Sequence, residues 1–377
     1  MKILKKISLW LMTFSVAVLA IRYALPEHPW IVVVAYFVFT PFIDRGIKAI
    51  VDKEGNTLIL GVEFKDFMTP WIAFWGLAGI AISYWQAQNQ LSIQKRQELD
   101  NNFYIYVKHL EDQNVVFRNK AINELYMIAY QHPDYYLQSV CDAFCNHIRS
   151  FTSDSVYKKD NSIKPSNDVQ KTIDLLFKEY EHSLIFGKLR KSLDGSYLYG
   201  ADFENAILTR VDLSDATLSK ANFTSAKLYD VHFRDAKLND RVNFENAFID
   251  SVNFRHNTLT NVNFYKSKIK TGRFFNTRLT SVTFDSAYIH VANFDQAKMI
   301  NVYFRGADLT DVSFRRDSLT NVYFTGAKLN NVDFWNAKLE KDKVDFTDTD
   351  LENIPYAEIT RFGRSQELTK PNQKNRP

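Results

Sequence analysis

"VYFRGADLTDVSFRRDSLTNVYFTGAKLNNVDF", residues Val302 to Phe334, puts a large apolar residue at every fifth position and lets Phe and Leu take turns: Phe304, Leu309, Phe314, Leu319, Phe324, Leu329, Phe334. An α-helix repeats its buried face about every 3.6 residues and a strand every 2. A period of five belongs to neither and has to come from the path of the whole segment.

Followed outward, the register runs from Leu198 through Phe203, Leu208, Leu213, Leu218, Phe223, Leu228 and Phe233 to Leu238, slips by one residue near Asp240 and Arg241, and resumes at Phe244. It holds to Leu339, takes two extra residues around Lys341 and closes at Phe346 and Leu351, making 31 units. Two positions before most centres stands a small or slim residue, such as Ala201, Ala226, Val262, Val302 or Ala327. Two inward positions in every five suit a chain that turns a corner each time, so that four units close a square circuit of twenty residues. Stacked circuits pair backbone at the strand spacing of ~4.8 Å, which makes just under eight coils a rod of roughly 37 Å. Side chains twenty apart then lie over one another, with Phe264, Phe284, Phe304 and Phe324 in one column and Phe254, Phe274, Phe294, Phe314 and Phe334 opposite. Val-x-Phe sides alternate with Ala-x-Leu sides, which balances bulk within each layer.

"GADFENAIL", "SDATLSKANFTSAKL" and "TGAKLNNVDF" resemble the A(D/N)LXX units of the pentapeptide-repeat family; one unit is degenerate, whereas a run of 31 is specific. The resemblance covers about 160 residues and implies a right-handed quadrilateral β-helix. "FYIYVKHLEDQNVVFRNKAINELYMIAYQHPDYYLQSVCDAFCNHIRSF" and "DVQKTIDLL" are similar to the helical module that precedes the repeats in membrane-anchored bacterial members. That likeness implies that Asp168 to Phe186 covers the first coil, an edge otherwise open to strand addition. At the far end "ENIPYAEITRF", Glu352 to Phe362, is placed to cover the last coil, and the residues after it read as a disordered tail.

The N-terminal residues read as a membrane region. "ISLWLMTFSVAVLAI" follows Lys2, Lys5 and Lys6; "WIVVVAYFVFTPFI" is shorter and holds Pro41; "FMTPWIAFWGLAGIAISYW", Phe67 to Trp85, is the longest apolar run. A span takes ~20 mostly apolar residues, so the third run qualifies outright and the first if Arg22 snorkels. A cleaved signal peptide ending at Ala20 is the alternative for the first, and the second is a span or a re-entrant segment. Membrane lipid is therefore an expected partner of these helices, and the expected location is a cell membrane, multi-pass. The positive-inside rule leaves the side of the later domains open; two thiols and the family's usual cytosolic rods place them in the cytoplasm.

From Gln86 the chain turns polar and then amphipathic. Val115 to Gln131 and Pro133 to Phe151 carry helical apolar stripes, and the first stops at "HP" because a residue before proline is pushed out of helix. The expected organisation is α+β: a membrane region with two or three transmembrane helices at 1–85, a helical module at 86–151, a linker at 152–167, a capping helix at 168–190, the pentapeptide-repeat β-helix at 191–351, and a C-terminal cap and disordered tail at 352–377.

Chemistry is sparse. Cys141 and Cys145, four apart on a helix, read as reduced core thiols, and with His147 they lack the spacing of a metal knuckle. No nucleophile elbow, phosphate loop or metalloprotease motif is present, so no catalytic residue, cofactor or metal is expected. The better candidates are departures from the repeat rule. Asn257, Thr277 and Asp317 share one inward column with Ala297 and Ala337, and Asp317 is expected to bond free backbone N–H groups at a corner. Outside, Ser251 to Phe284 holds Arg255, Lys266, Lys268, Lys270, Arg273 and Arg278 and no acid, with Tyr265 and Phe275 nearby. Phe275, Arg315 and Trp335 share an outward column, as do Tyr303 and Tyr323, an aromatic strip suited to protein contact. Family members that protect DNA gyrase imitate DNA with an acidic rod. Here Lys191 to Leu351 counts 21 Lys and Arg against 21 Asp and Glu, so that mimicry lacks its charge and nucleic acid is disfavoured as a partner. The expected function is a membrane-anchored scaffold for an unidentified protein partner; the alternative is a nucleic-acid- or topoisomerase-directed repeat protein.

Overall fold

The computed structural model describes residues 64–178, 184–340 and 343–354. Among the described residues five helices precede the solenoid: α1 (Phe64–His109), α2 (Val115–Gln131), α3 (Pro133–Ser153), α4 (Ser155–Asp160) and α5 (Asn167–Phe177). The Asn114 side chain accepts the Val116 N–H at the start of α2, and α3 opens on Pro133, where a missing N–H costs nothing. Their apolar stripes meet in one core through Ala121, Leu125, Val140, Phe144, Ile148, Val169 and Ile173. Cys141 and Cys145 are buried free thiols within it.

One buried ion cluster ties three helices together. Arg118 on α2 donates through Nε to Asp168 on α5 at 2.6 Å, and His147 on α3 lies 3.5 Å from the same oxygen. Arg118 also donates to the Asp112 and Gln113 carbonyls and lies over the Phe151 ring. Burial alone would raise the Asp168 carboxyl; the neighbouring His147 and the Arg118 hydrogen bond outweigh it and hold the group below the usual carboxylate range.

The membrane reading is corrected here. Among the described residues no helix is long and apolar enough to cross a membrane. The third apolar run lies within the continuous helix α1, which turns polar at Gln86. On that finding the multi-pass membrane location is overturned. The runs at 7–21 and 30–43, the cleavage site at Ala20 and the C-terminal cover beyond Ile354 lie outside the described residues. The stretch expected to be a plain linker contains α4, because Asp154 accepts the Val156 N–H at 2.7 Å and Tyr157 is buried, its hydroxyl accepting the Ser166 N–H.

From Lys191 the chain coils as a parallel solenoid in which each strand pairs with the one twenty residues on, as Lys298 with Ser318 and Tyr288 with Asp308. The one-residue slip is absorbed at a corner, Asp240 and Arg241 both at positive φ, and the pairing resumes as Lys227 with Phe248. Two walls carry the ladders: a seven-stranded sheet through Leu259, Leu279, Met299 and Leu319, and an eleven-stranded sheet through Ile249, Ile269, Ile289 and Leu309. The Phe columns stand between them. Phe264, Phe284 and Phe304 stack at 4.7 and 4.9 Å with nearly parallel rings, and they meet the Phe254 column edge-on at 5.9 Å. The register begins one side earlier than Leu198: Leu193 is fully buried, and Lys191–Ser192 pairs with Val211–Asp212. Lys191, neither small nor apolar, occupies the slim position there and hides that side from a pattern search.

Corners carry left-handed residues, such as Asn205, Asp215, Asn276 and Asn301, with φ between 54° and 58°. Asn, Asp and Gly tolerate this region best. Thr271 and Val291 are β-branched and do not adopt it. Gly272 fills a slim position because a Cβ there would stand 2.8 Å from the Phe274 ring and 2.9 Å from Ile269.

The first coil is closed by side chains. Tyr197 N–H bonds to Thr152 Oγ1 at 3.1 Å and Asp202 N–H to Gln170 Oε1 at 3.0 Å, while Gln170 Nε2 returns a bond to the Asp202 carbonyl at 2.8 Å. Gln170 thus replaces a missing strand neighbour. Replacing it by Ala leaves a donor and an acceptor unmatched, so Gln170→Ala is expected to cost about 1–3 kcal/mol. Thermal denaturation reads this, and an unchanged midpoint would show that water serves the edge equally well.

Candidate interaction surface

A rod whose interior is filled by Phe, Leu and Ile leaves no room for a ligand inside, so any recognition has to use the walls. Each wall shows two outward positions per coil beside a corner. Sequence neighbours therefore turn onto different walls, while residues twenty apart share one.

This geometry divides the basic run. Arg255, Arg273 and Phe275 lie on the Phe254 wall, Arg278 on the Leu259 wall, Lys266 on the Phe264 wall, and Lys268 and Lys270 on the Ile269 wall. The run is a belt around the rod, and its members have local partners. The Arg255 guanidinium is 5.9 Å from the Phe275 ring, Lys266 lies 5.0 Å from Tyr265, and Lys270 pairs with Asp250 at 3.0 Å. Tyr303 and Tyr323 do stack, at 5.3 Å and 8°, with Arg305 4.8 Å over Tyr303 and bonded to Asp285 at 2.7 Å. The column of Phe275, Arg315 and Trp335 is interrupted by Asp295, which accepts the Arg315 N–H, and the Arg315 guanidinium pairs with Asp333. Trp335 is 52% exposed beneath Arg316.

The eleven-stranded wall holds residues that the sequence reading passed over. Of the large apolar residues exposed in the described solenoid, Tyr229, Tyr288 and Val291 lie on this wall or its corner, and Trp335 lies elsewhere. Phe248 packs on Tyr229 at 5.4 Å, and the Lys268 ammonium is 5.6 Å from the Tyr288 ring. Their signal was present but hidden by the slip at Asp240, which moves Lys227 and Phe248 to a spacing of 21. Among the described residues no group of three or more metal-ligating side chains converges.

Two family descriptions match the solenoid: "Pentapeptide repeat region" over residues 247–324, and "Pentapeptide repeats (8 copies)" over 195–239 and 318–354. No curated protein matches the chain. Among solved structures, trypsin-treated QnrB1, a plasmid-mediated fluoroquinolone resistance protein, is 19% identical, with 46% of this chain and 86% of that one covered and a TM-score of 0.28. HetL of the cyanobacterium Nostoc, involved in heterocyst differentiation regulation, is 17% identical over 42% of this chain and 86% of its own, with a TM-score of 0.19. A pentapeptide repeat protein of the Arabidopsis thaliana thylakoid lumen is 20% identical over 48% and 84%, with a TM-score of 0.16. Five-residue sides, corners every fifth residue and pairing twenty residues apart agree with the matched repeats, so that residues 195–239 and 247–354 form a pentapeptide-repeat solenoid.

Proposed function

We propose that the chain is a non-enzymatic scaffold whose rigid walls hold outward aromatic and cationic side chains for contact with a protein partner. The observation that carries this reading is the pair Tyr303 and Tyr323, stacked at 5.3 Å on a hydrogen-bonded wall with Arg305 against the first ring. Rings fixed this way lose little freedom on docking, and Tyr and Arg are enriched where interfaces gain their energy. Arg255, Phe275, Arg316 and Trp335 offer a second aromatic–cation group of the same kind. The belt residues Lys266, Lys268, Lys270, Arg273 and Arg278 add positive charge on several walls, which suits an acidic protein that grips more than one side. The balance of 21 bases and 21 acids along the repeats weighs against a nucleic-acid rod mimic.

The test compares partners crosslinked to the full chain in its native cell with those of two variants, Tyr303→Ser/Tyr323→Ser and Lys266→Glu/Lys268→Glu/Lys270→Glu. All five side chains lie outside the core, so circular dichroism should stay unchanged. Loss of a partner from either variant supports the scaffold reading. An identical partner set in both removes these surfaces from the account.

A further inference from the structure

One column of the eleven-stranded wall reads, coil by coil, Ile207, Lys227, Phe248, Lys268, Tyr288, Asp308, Lys328, Asp350, each laddered to the next, and the seven from Lys227 to Asp350 are centred on Tyr288. Turned end for end about Tyr288, the column is complementary to itself. Lys268 falls on Asp308, Phe248 on Lys328, Lys227 on Asp350, and Tyr288 on its own copy. We propose that this wall binds a second copy of the same chain, face to face and antiparallel, around a two-fold axis that passes the Tyr288 coil.

A two-fold axis lying in the contact plane and across the rod reverses the coil order but keeps the position along each strand. A residue therefore meets only members of its own column. The second outward column obeys the same operation: Tyr229 meets Glu352, Asp250 meets Asn330, Lys270 meets Thr310 and His290 meets His290. At the corner Asp311 meets Thr271 and Val291 meets itself. No pair of like charges is created in either column. The opposite wall shows that such a pattern does not follow from the repeat, because its matching column is Thr258, Arg278, Lys298, Ser318, Lys338. That column has bases and no acid, and it would repel its own copy.

The exposed apolar groups sit where the contact needs them. Tyr288 is 40% and Val291 42% exposed, and both lie at the centre, with charged residues toward the two ends. This is the arrangement of an apolar middle and a polar rim. Seven coils at ~4.8 Å and a wall of about three residues give each copy roughly 30 by 10–15 Å. That is about half of the ~800 Å² per partner of a standard interface, so the dimer is weak and its ion pairs make it salt-sensitive. The inference rests on this column alone and stands or falls independently of any other partner.

Single cysteines test it on the full chain, where Cys141 and Cys145 are buried. Tyr288→Cys lies at the axis and should form a disulfide-linked homodimer under mild oxidation. Lys268→Cys and Asp308→Cys should each fail alone and crosslink when the two proteins are mixed. In sedimentation at low salt, Lys268→Asp or Asp308→Lys should weaken association on the order of tenfold, and the double variant Lys268→Asp/Asp308→Lys should restore it. Self-crosslinking of Lys268→Cys would mean parallel rods and overturn the proposal. So would association that ignores every charge reversal, or a full chain that stays monomeric with no Tyr288→Cys crosslink.

Discussion

Phe284→Ala is expected to remove about 3–5 kcal/mol from the stability of the solenoid. The ring is fully buried, stacked on Phe264 at 4.7 Å and Phe304 at 4.9 Å, and edge-on to Phe274 at 6.0 Å and Phe294 at 5.8 Å. A globular core can sometimes collapse into such a void. Here it cannot, because the hydrogen-bonded ladders on both walls fix the distance between coils, and the Phe rings above and below are held by their own backbones. Each coil leans only on its neighbours, so the loss falls on the interfaces above and below together. Denaturant unfolding monitored by circular dichroism measures the effect. A loss under about 1 kcal/mol would show that the coils shift to close the gap.

Asp317→Ala is expected to do the opposite and stabilise the protein by roughly 2–4 kcal/mol at pH 7. The carboxyl is fully buried; Oδ1 accepts the Ala297 N–H at 2.9 Å, and Oδ2 has no partner among the described residues. Burial pushes it up to about 9, against the hydrogen bonds from Ala297 and Gln296 that favour the charged form. The sequence suggested that it satisfies free corner N–H groups. The structure shows those groups already served: Ala297 N–H also donates to the Phe294 carbonyl and Gln296 N–H to that of Arg315. Its column mates differ because their neutral groups can donate, Asn257 to the Phe233 carbonyl and Thr277 to that of Phe274. Alanine occupies the same slot one coil away on either side, so the packing tolerates it.

The sign of the pH effect follows from the direction of that shift. An ordinary unfolded Asp titrates near ~3.9, so between about pH 4 and 9 the folded chain holds a proton that the unfolded chain has released. Stability from this group is greatest below pH 4, falls as pH rises toward 9, and levels off above it. The difference in stability between Asp317→Ala and the parent should widen from pH 5 to pH 8. A difference that is flat with pH would mean that the carboxyl is ionised in the folded protein throughout.

The repeat was legible because every coil imposes the same two inward positions, and one period of five repeated along the segment leaves few alternatives. The Phe columns followed from counting by twenty. Lys191 hid the first side because a long polar side chain can be buried wherever helices supply the wall around it. The surface was harder. Lys266, Lys268 and Lys270 are adjacent in sequence, yet a corner separates the first from the other two, so a charge run became a belt. Tyr229 and Phe248 were missed because the slip at Asp240 has to be carried through the count before their column appears. The apolar run before Gln86 suggested a span from its composition, whereas no helix among the described residues is long and apolar enough to cross a membrane.

Thr152 and Gln170 give the molecule a direction. A stack of similar coils has no inherent beginning, and any circuit could in principle seat itself at either pole. With the upward donors of Tyr197 and Asp202 engaged by two unlike side chains, the top circuit has become a terminus. A duplicated twenty-residue block placed before Lys191 would have to displace the lid, whereas one spliced into the interior of the stack finds a matching edge on both flanking ladders.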